Sequence, residues 1–274
     1  MVRYTVTFDS NTGNGTMTSK EVREGFSVVI PENEFTKTYY TFAGWALNTE
    51  DDTKLQVGER IKVTGDITIY ATWTQNPVTV TYYKNDGTDT TEITTIGEGD
   101  NITIPSETFT REGYTLLSWK DSSNNEYTLG NEITVEEDLQ LYAQWTANTY
   151  TISYNLDSGS YGTNHPTSGT YGTQITIDNP TRSGYTFIGW TITGMDTCTH
   201  TYGSNTTTNT SLSSIKDTTF KNLRSTSGTV TLTANWDEIT YTWKKYNIAG
   251  SITYSYKYVE STGSVYARMT NTYY

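Results

Sequence analysis

One phrase constrains this chain more than any other: Gly-Tyr-Thr-Phe-Ile-Gly-Trp, residues 184–190. It stands earlier as Tyr39-Tyr40-Thr41-Phe42-Ala43-Gly44-Trp45, and in worn form as Gly113-Tyr114-Thr115-Leu116-Leu117-Ser118-Trp119. A phrase that returns at regular distance means a repeat array. The period is roughly 70–75 residues, longer than the roughly 20–50 of stacked solenoids, so each unit can own a core. Small domains in series, beads on a rod, are therefore expected.

Other landmarks keep the same order in each unit. Tyr4, Val6 and Phe8 alternate in an opening strand, and Val78, Val80, Tyr82 and Tyr150, Ile152, Tyr154 repeat it. Such alternation reads as a half-buried strand. A glycine (Gly25, Gly99, Gly172) precedes a short Val/Ile strand that ends near Pro31, Pro105 or, slightly later, Pro180. Proline cannot donate to a central ladder, so it stops the strand. Each unit closes on an alternating run: Ile67, Ile69, Ala71, Trp73; then Leu139, Leu141, Ala143, Trp145; then Val230, Leu232, Ala234, Trp236. Six of the 7 tryptophans thus fall at two equivalent places. Helical signal is weak; residues 19–25 and 213–222 offer a turn or two.

These landmarks set the expected domains: 1–75, 76–147, 148–237 with an insertion at about 193–227, and 238–274. The connectors are short, and Pro77 stiffens the first, so limited freedom between units is expected. The insertion is rich in Thr and Ser; it reads as a longer surface loop or extra hairpin, with a binding loop as the sharper alternative. In the tail, Ile252, Tyr254, Tyr256 and Tyr258 alternate and Val265 to Met269 return, which predicts a β-hairpin. It lacks both the signature and the closing Ala-x-Trp. It is either a partial fourth unit or a distinct C-terminal β module.

Composition narrows the partners. Net charge is −12 over 274 residues, which argues against nucleic acid or an anionic membrane surface. Only 34% of residues are hydrophobic, yet 14% are aromatic, so the chain folds around a few large rings. The single cysteine, Cys198, excludes a disulfide framework. No run of about 20 apolar residues exists, so no membrane insertion is expected. The opening Met1-Val2-Arg3-Tyr4 runs straight into a strand, so no signal peptide is expected; that fits an intracellular or virion product, or a segment of a longer exported protein.

With these residues in hand, each unit resembles the internalin-type B repeat, also called the Listeria–Bacteroides repeat. The shared pattern is an opening Tyr-Thr-Val-x-Phe/Tyr strand, a Gly before a Val/Ile strand ending in Pro, then Gly-Tyr-Thr-Phe-x-Gly-Trp, then Leu-Tyr-Ala-x-Trp. The match runs over Tyr4 to Trp73, Val78 to Trp145 and Tyr150 to Trp236, so it covers most of the chain. It departs at Tyr39, at Leu117-Ser118 and in the enlarged third unit. The resemblance implies a mostly β chain of tandem β-grasp-like, ubiquitin-like domains. It also implies a setting in bacterial surface proteins, or in phages that infect such bacteria.

The residues offer little chemistry. Cys198 and His200 sit two apart and His165 is the only other histidine, too few for a zinc site. Asp9 to Gly13 faintly resembles a calcium loop, but Lys20 stands where a bidentate Glu belongs, so a turn is expected. No triad, paired catalytic carboxylates or phosphate loop is visible, and Glu50-Asp51-Asp52 and Glu136-Glu137-Asp138 read as solvated turns. No enzyme, cofactor or metal is expected.

The recurring Trp45, Trp73, Trp119, Trp145, Trp190 and Trp236 read as core. By strict alternation Trp190 points away from Tyr185 and Phe187, so Gly44 and Gly189 should mark a bulge that turns the ring inward; Ser118 fits that reading least. Tyr254, Tyr256, Tyr258 and Tyr266 are the better candidates for an exposed binding surface, with Tyr273 and Tyr274 beyond them. The expected role is a non-catalytic stalk, spacer or adhesin segment at a bacterial surface. Its partner would be a protein or glycan at a bacterial or host surface, with oligomers possible through the C-terminal module. The alternatives are a phage or virion appendage, and an accessory array of a secreted carbohydrate-active enzyme.

Overall fold

The computed structural model describes residues 1–49, 54–239, 242–248, 252–259 and 264–270, with side chains up to residue 239. Among them every regular element is a strand, which suits a sequence rich in Thr, Tyr, Val and Ile. The chain divides into two compact units. The first holds Met1–Phe109 with Leu117–Gln144, and the second holds Thr110–Leu116 with Trp145–Tyr274.

In the first repeat the strands are β1 (Arg3–Asp9), β2 (Lys20–Arg23), β3 (Ser27–Val29), β4 (Tyr40–Ala46), β5 (Arg60–Lys62) and β6 (Ile67–Gln75). A four-stranded sheet has the order β2-β1-β6-β4, and β3 pairs with β5 in a small second sheet. The middle pair, β1 and β6, is parallel, with Phe8 opposite Ile69. Parallel strands need a long crossover, and the rest of the repeat supplies it. Val6, Phe8, Val28, Ile30, Phe35, Trp45, Leu55, Val63, Ile69 and Ala71 form one core.

The second repeat contains β7 (Pro77–Tyr83), β8 (Thr91–Gly97), β9 (Asp100–Thr103), β10 (Tyr114–Lys120), β11 (Glu126–Thr128), β12 (Glu132–Val135) and β13 (Leu139–Ala147). Its main sheet runs β8-β7-β13-β10-β11, again with a parallel pair, β7 and β13, and β9 pairs with β12.

The third repeat contains β14 (Thr149–Asn155), β15 (Ser168–Thr170), β16 (Gln174–Thr176), β17 (Tyr185–Thr193), β18 (His200–Tyr202), β19 (Asn205–Thr207), β20 (Leu212–Ile215), β21 (Thr219–Lys221) and β22 (Thr229–Glu238). The main sheet is β15-β14-β22-β17-β20, with β14 and β22 parallel. The insertion adds the β18–β19 hairpin to the edge of the small sheet, giving β16-β21-β18-β19.

The tail forms β23 (Thr242–Ile248), β24 (Ile252–Val259) and β25 (Ser264–Thr270) in one antiparallel sheet.

Both stretches with weak helical signal are strands. Residues 20–23 form β2, pairing with β1 from Arg3–Arg23 to Val6–Lys20. Residues 212–215 and 219–221 form β20 and β21, which extend the two sheets of the third repeat. A sheet edge recruits such short polar segments through the backbone, whatever their local propensity.

Candidate functional site

The signature builds the same corner in each repeat. It begins with a turn in which Tyr40, Tyr114 and Tyr185 donate N–H to the carbonyls of Lys37, Arg111 and Arg182, at 3.1, 3.1 and 3.2 Å. The residue before each of these tyrosines, the third of the turn, has a left-handed φ: Tyr39 at 67°, Gly113 at 76° and Gly184 at 80°. Turns of this kind favour glycine there. The cation that opens the turn lies over the tyrosine ring, at 4.3 Å for Lys37 and 3.9 Å for Arg111 and Arg182. A basic residue three places before the signature tyrosine occurs in all three repeats, and sequence reading overlooked it.

The strand then bulges. The ladder between β4 and β6 slips between Phe42 and Gly44, and that between β17 and β22 slips between Phe187 and Gly189. The two glycines have φ of 134° and 133°. The extra residue reverses the alternation, so Phe42 and Trp45 meet edge-on with centroids 5.2 Å apart, as do Phe187 and Trp190. Ser118 has no left-handed φ; it is buried and donates to Glu126 at 2.6 Å, next to the buried Trp119.

Trp45, Trp119 and Trp190 are fully buried, while Trp73, Trp145 and Trp236 are half-buried. Trp73 and Trp236 bond through Nε1 to the carbonyls of Ser10 and Leu156. Trp45 and Trp119 donate to the carbonyls of Pro31 and Pro105 at 3.0 and 2.9 Å. The prolines therefore mark an acceptor as well as a strand stop. In the third repeat Asp178 follows Ile177 where Pro31 and Pro105 follow Ile30 and Ile104, and the Trp190 indole N–H has no partner.

The insertion contributes core. Met195, Cys198, His200, Leu212, Ile215, Phe220 and Leu223 are all buried. Cys198 and His200 are therefore a buried pair, not the chance occurrence of two residues on a surface loop, because the hairpin folds them inward. His200 Nδ1 lies 2.7 Å from the Asn222 carbonyl and Nε2 lies 2.9 Å from that of Asp196. The Asp196 carboxylate accepts from the N–H and hydroxyl of both Ser225 and Thr226 at 2.9–3.0 Å. Burial works against that charge, but these donors and Cys198 outweigh it and hold Asp196 well below the usual carboxylate range. Burial, with the Asp196 carboxylate beside it, pushes the Cys198 thiol up to about 12. A thiol so protonated is a poor nucleophile at neutral pH. His165 lies elsewhere, stacked on Tyr161 at 4.6 Å. Among the described residues no group of three His, Cys, Asp or Glu is placed to hold a metal ion.

The acidic run at 136–138 is exposed but engaged. Asp138 accepts from the Thr79 N–H and hydroxyl, and Glu136 accepts from the Tyr39 hydroxyl. Asp66 does the same for the Thr5 N–H. Glu50-Asp51-Asp52 lies outside the described residues. At 9–13 the chain makes a turn, with Gly13 N–H on the Ser10 carbonyl and Asn11 N–H on Asp9.

Tyr254, Tyr256 and Tyr258 lie on β24, opposite Met269, Ala267 and Val265 of β25, and Tyr266 lies opposite Lys257. Tyr273 and Tyr274 fall outside the described residues.

The family model of the Listeria-Bacteroides repeat domain matches residues 4–72, 79–144 and 150–235. The chain belongs to this repeat family. Among curated relatives, a protein of Evansella cellulosilytica whose name marks it as a membrane protein is 34% identical over 68% of this chain. A Gly-rich protein of the same organism, also named a membrane protein, is 30% identical over 69%. Internalin H of Listeria monocytogenes is 33% identical over 42%. The chain spans 27%, 22% and 21% of the length of these three relatives. No helix among the described residues is long and apolar enough to cross a membrane.

Proposed function

We propose that the chain is a non-catalytic structural and interaction segment of a bacterial cell-surface protein, serving as stalk, spacer or adhesin. The observation that carries this reading is the threefold corner. Large aromatic side chains gather round the corner tryptophan of each repeat, with Phe8, Phe35 and Phe42 around Trp45, Tyr82 and Phe109 around Trp119, and Tyr154 and Phe187 around Trp190. Each buried ring removes roughly 150–250 Å² from water, so the residue types that could build a binding cleft serve stability instead. Strand order second–first–last–third, with first and last parallel, supports a β-grasp-like domain in each repeat. The names of the Evansella proteins and internalin H support the surface setting.

The partner in this reading is a protein or glycan at a bacterial or host surface, with the three-stranded C-terminal sheet and its Tyr254, Tyr256, Tyr258 and Tyr266 as the contact. The experiment is protease shaving of intact cells that express the parent protein. Peptides of this segment released from whole cells support the reading; release only after lysis refutes it. Glycan-array and host-protein binding by the chain, compared with a variant lacking 240–274, then separates adhesin from plain spacer.

A further inference from the structure

Two sets of contacts, one in each compact unit, use the same positions of the repeat in opposite directions. In the first unit the connector residue Asn76 donates N–H to the Tyr39 carbonyl at 2.9 Å, and its own carbonyl accepts from Glu98 N–H at 2.7 Å. In the second unit Asn148 donates to the Gly113 carbonyl at 2.8 Å and accepts from Tyr171 N–H at 2.9 Å. Thr41 and Thr115 hold the two asparagines through hydroxyl bonds of 2.6 Å. The backbone frame is thus the same in both places.

The side chains are reversed. Tyr39 and Gly113 are both the first residue of a signature; Glu98 and Tyr171 both precede the glycine that opens the Val/Ile strand. In the first unit the signature supplies the ring: a Cβ on Gly99 would overlap Tyr39, and the tyrosine hydroxyl donates to Glu136. In the second unit the ring comes from the other side: a Cβ on Gly113 would overlap Tyr171, whose hydroxyl donates to Glu112 at 3.0 Å. Each time the side that offers the glycine also offers the glutamate.

Tyr39 carries a second, independent mark. It holds a φ of 67° where the other two repeats have glycine, a conformation that disfavours a bulky residue. An outlier of this kind points to a role that outweighs its strain.

We propose that this tyrosine, with its glycine and glutamate receptor, is a directional key that decides which repeats can be consecutive. Tyr39 fits a repeat that offers glycine and glutamate, as Gly99 and Glu136 do. Tyr171 fits a signature that begins with glycine. A first repeat joined directly to the third would set Tyr39 against Tyr171.

The test is amide exchange at Asn76 in the full chain. If Tyr39 is a strained surface residue and nothing more, Tyr39→Gly relieves the strain and exchange at Asn76 is unchanged or slower. The key requires the opposite, about tenfold faster exchange. Combining Tyr39→Gly with Thr38→Glu and Glu98→Tyr rebuilds the second arrangement at the first place and should return exchange to within about threefold of the original. Unchanged or slower exchange in Tyr39→Gly overturns the proposal, and so does a combined variant as fast as the single one. Should the combined variant not fold, the mirror change Gly113→Tyr with Tyr171→Glu and Ser227→Glu (Ser227 stands nine residues before Trp236, as Glu136 stands before Trp145), read at Asn148 against Tyr171→Glu alone, decides the question in the same way.

Discussion

In the first repeat Trp45 donates its indole N–H to the Pro31 carbonyl; in the third, Trp190 fills the same corner, equally buried, with no acceptor. Around Trp45 the core comes from the repeat's common strands and short loops. Around Trp190 it is enlarged by Met195 and Leu212 from the insertion, while Ile215 and Phe220 stand where Leu55 and Ile61 do in the first repeat. The third repeat has lost one hydrogen bond at its corner and gained apolar contacts beside it. The corner therefore rests chiefly on ring burial, with the indole bond as a smaller, replaceable part.

The largest expected effect tests that claim. Trp45→Ala and Trp190→Ala should each cost about 3–5 kcal/mol, the range for a fully buried ring. Trp73→Ala should cost less, because that ring is half-exposed. Chemical denaturation with exchange measured repeat by repeat gives the values. A loss in Trp73→Ala equal to that in Trp45→Ala would break the division into buried corner and half-buried closing ring.

The next effect belongs to the third repeat alone. His200 bridges the Asp196 and Asn222 carbonyls inside the insertion. His200→Leu fills the space but removes the ring donor: the Asp196 carbonyl loses its ring partner, while that of Asn222 keeps the Cys198 thiol at 3.2 Å, a cost of roughly 1–3 kcal/mol in all before relaxation. A net loss of about 1–2 kcal/mol is expected there, with amide exchange in the first repeat unchanged. A neutral His200→Leu would show that the hairpin is held by its apolar contacts only.

How far the sequence revealed this contrast depends on where the signal lay. Alternation in β1, β6, β7, β13, β14 and β22 was legible because one face of each is apolar. The bulge was legible because Gly-Trp breaks that alternation. Strands β2 and β8 were not, since Lys20 to Arg23 and Thr91 to Gly97 carry no fully buried residue and join their sheets chiefly through backbone pairing. Cys198 and His200 read as surface residues because a Thr- and Ser-rich run has no period to show that it folds inward. The Tyr39–Gly99 contact joins positions 60 apart, and only alignment of the repeats against one another exposes its reversal at Gly113 and Tyr171.

The two ends of the pH scale sharpen the comparison further. Asp196 has a folded value below its ordinary 3.8, so its contribution is complete well above 3.8 and is lost as pH falls from there through the folded value. Asp196→Asn should cost roughly 1–2 kcal/mol at neutral pH, a figure kept low because solvent screens the carboxylate, and should flatten the acid limb of the third repeat. Tyr150 is pushed up to about 12 by burial. Its contribution is complete below the ordinary value of 10.0 and is lost as pH rises toward 12. Tyr150→Phe should flatten that alkaline limb at little cost near pH 7, because its hydroxyl has no hydrogen-bond partner. Unaltered limbs in both variants would place the pH response elsewhere.

The smallest expected effect isolates the indole bond itself. Trp45→Phe and Trp190→Phe remove similar ring area from equivalent corners, so packing losses nearly cancel in the comparison. Only Trp45→Phe leaves a carbonyl, that of Pro31, without its donor. Only Trp190→Phe removes a buried N–H that had no acceptor. Both differences act in the same direction, so Trp45→Phe should be the more costly by about 0.5–1.5 kcal/mol. Paired denaturation curves would measure it. Equal losses would mean that relaxation in the third repeat supplies Trp190 with an acceptor, and that its corner is built like that of the first after all.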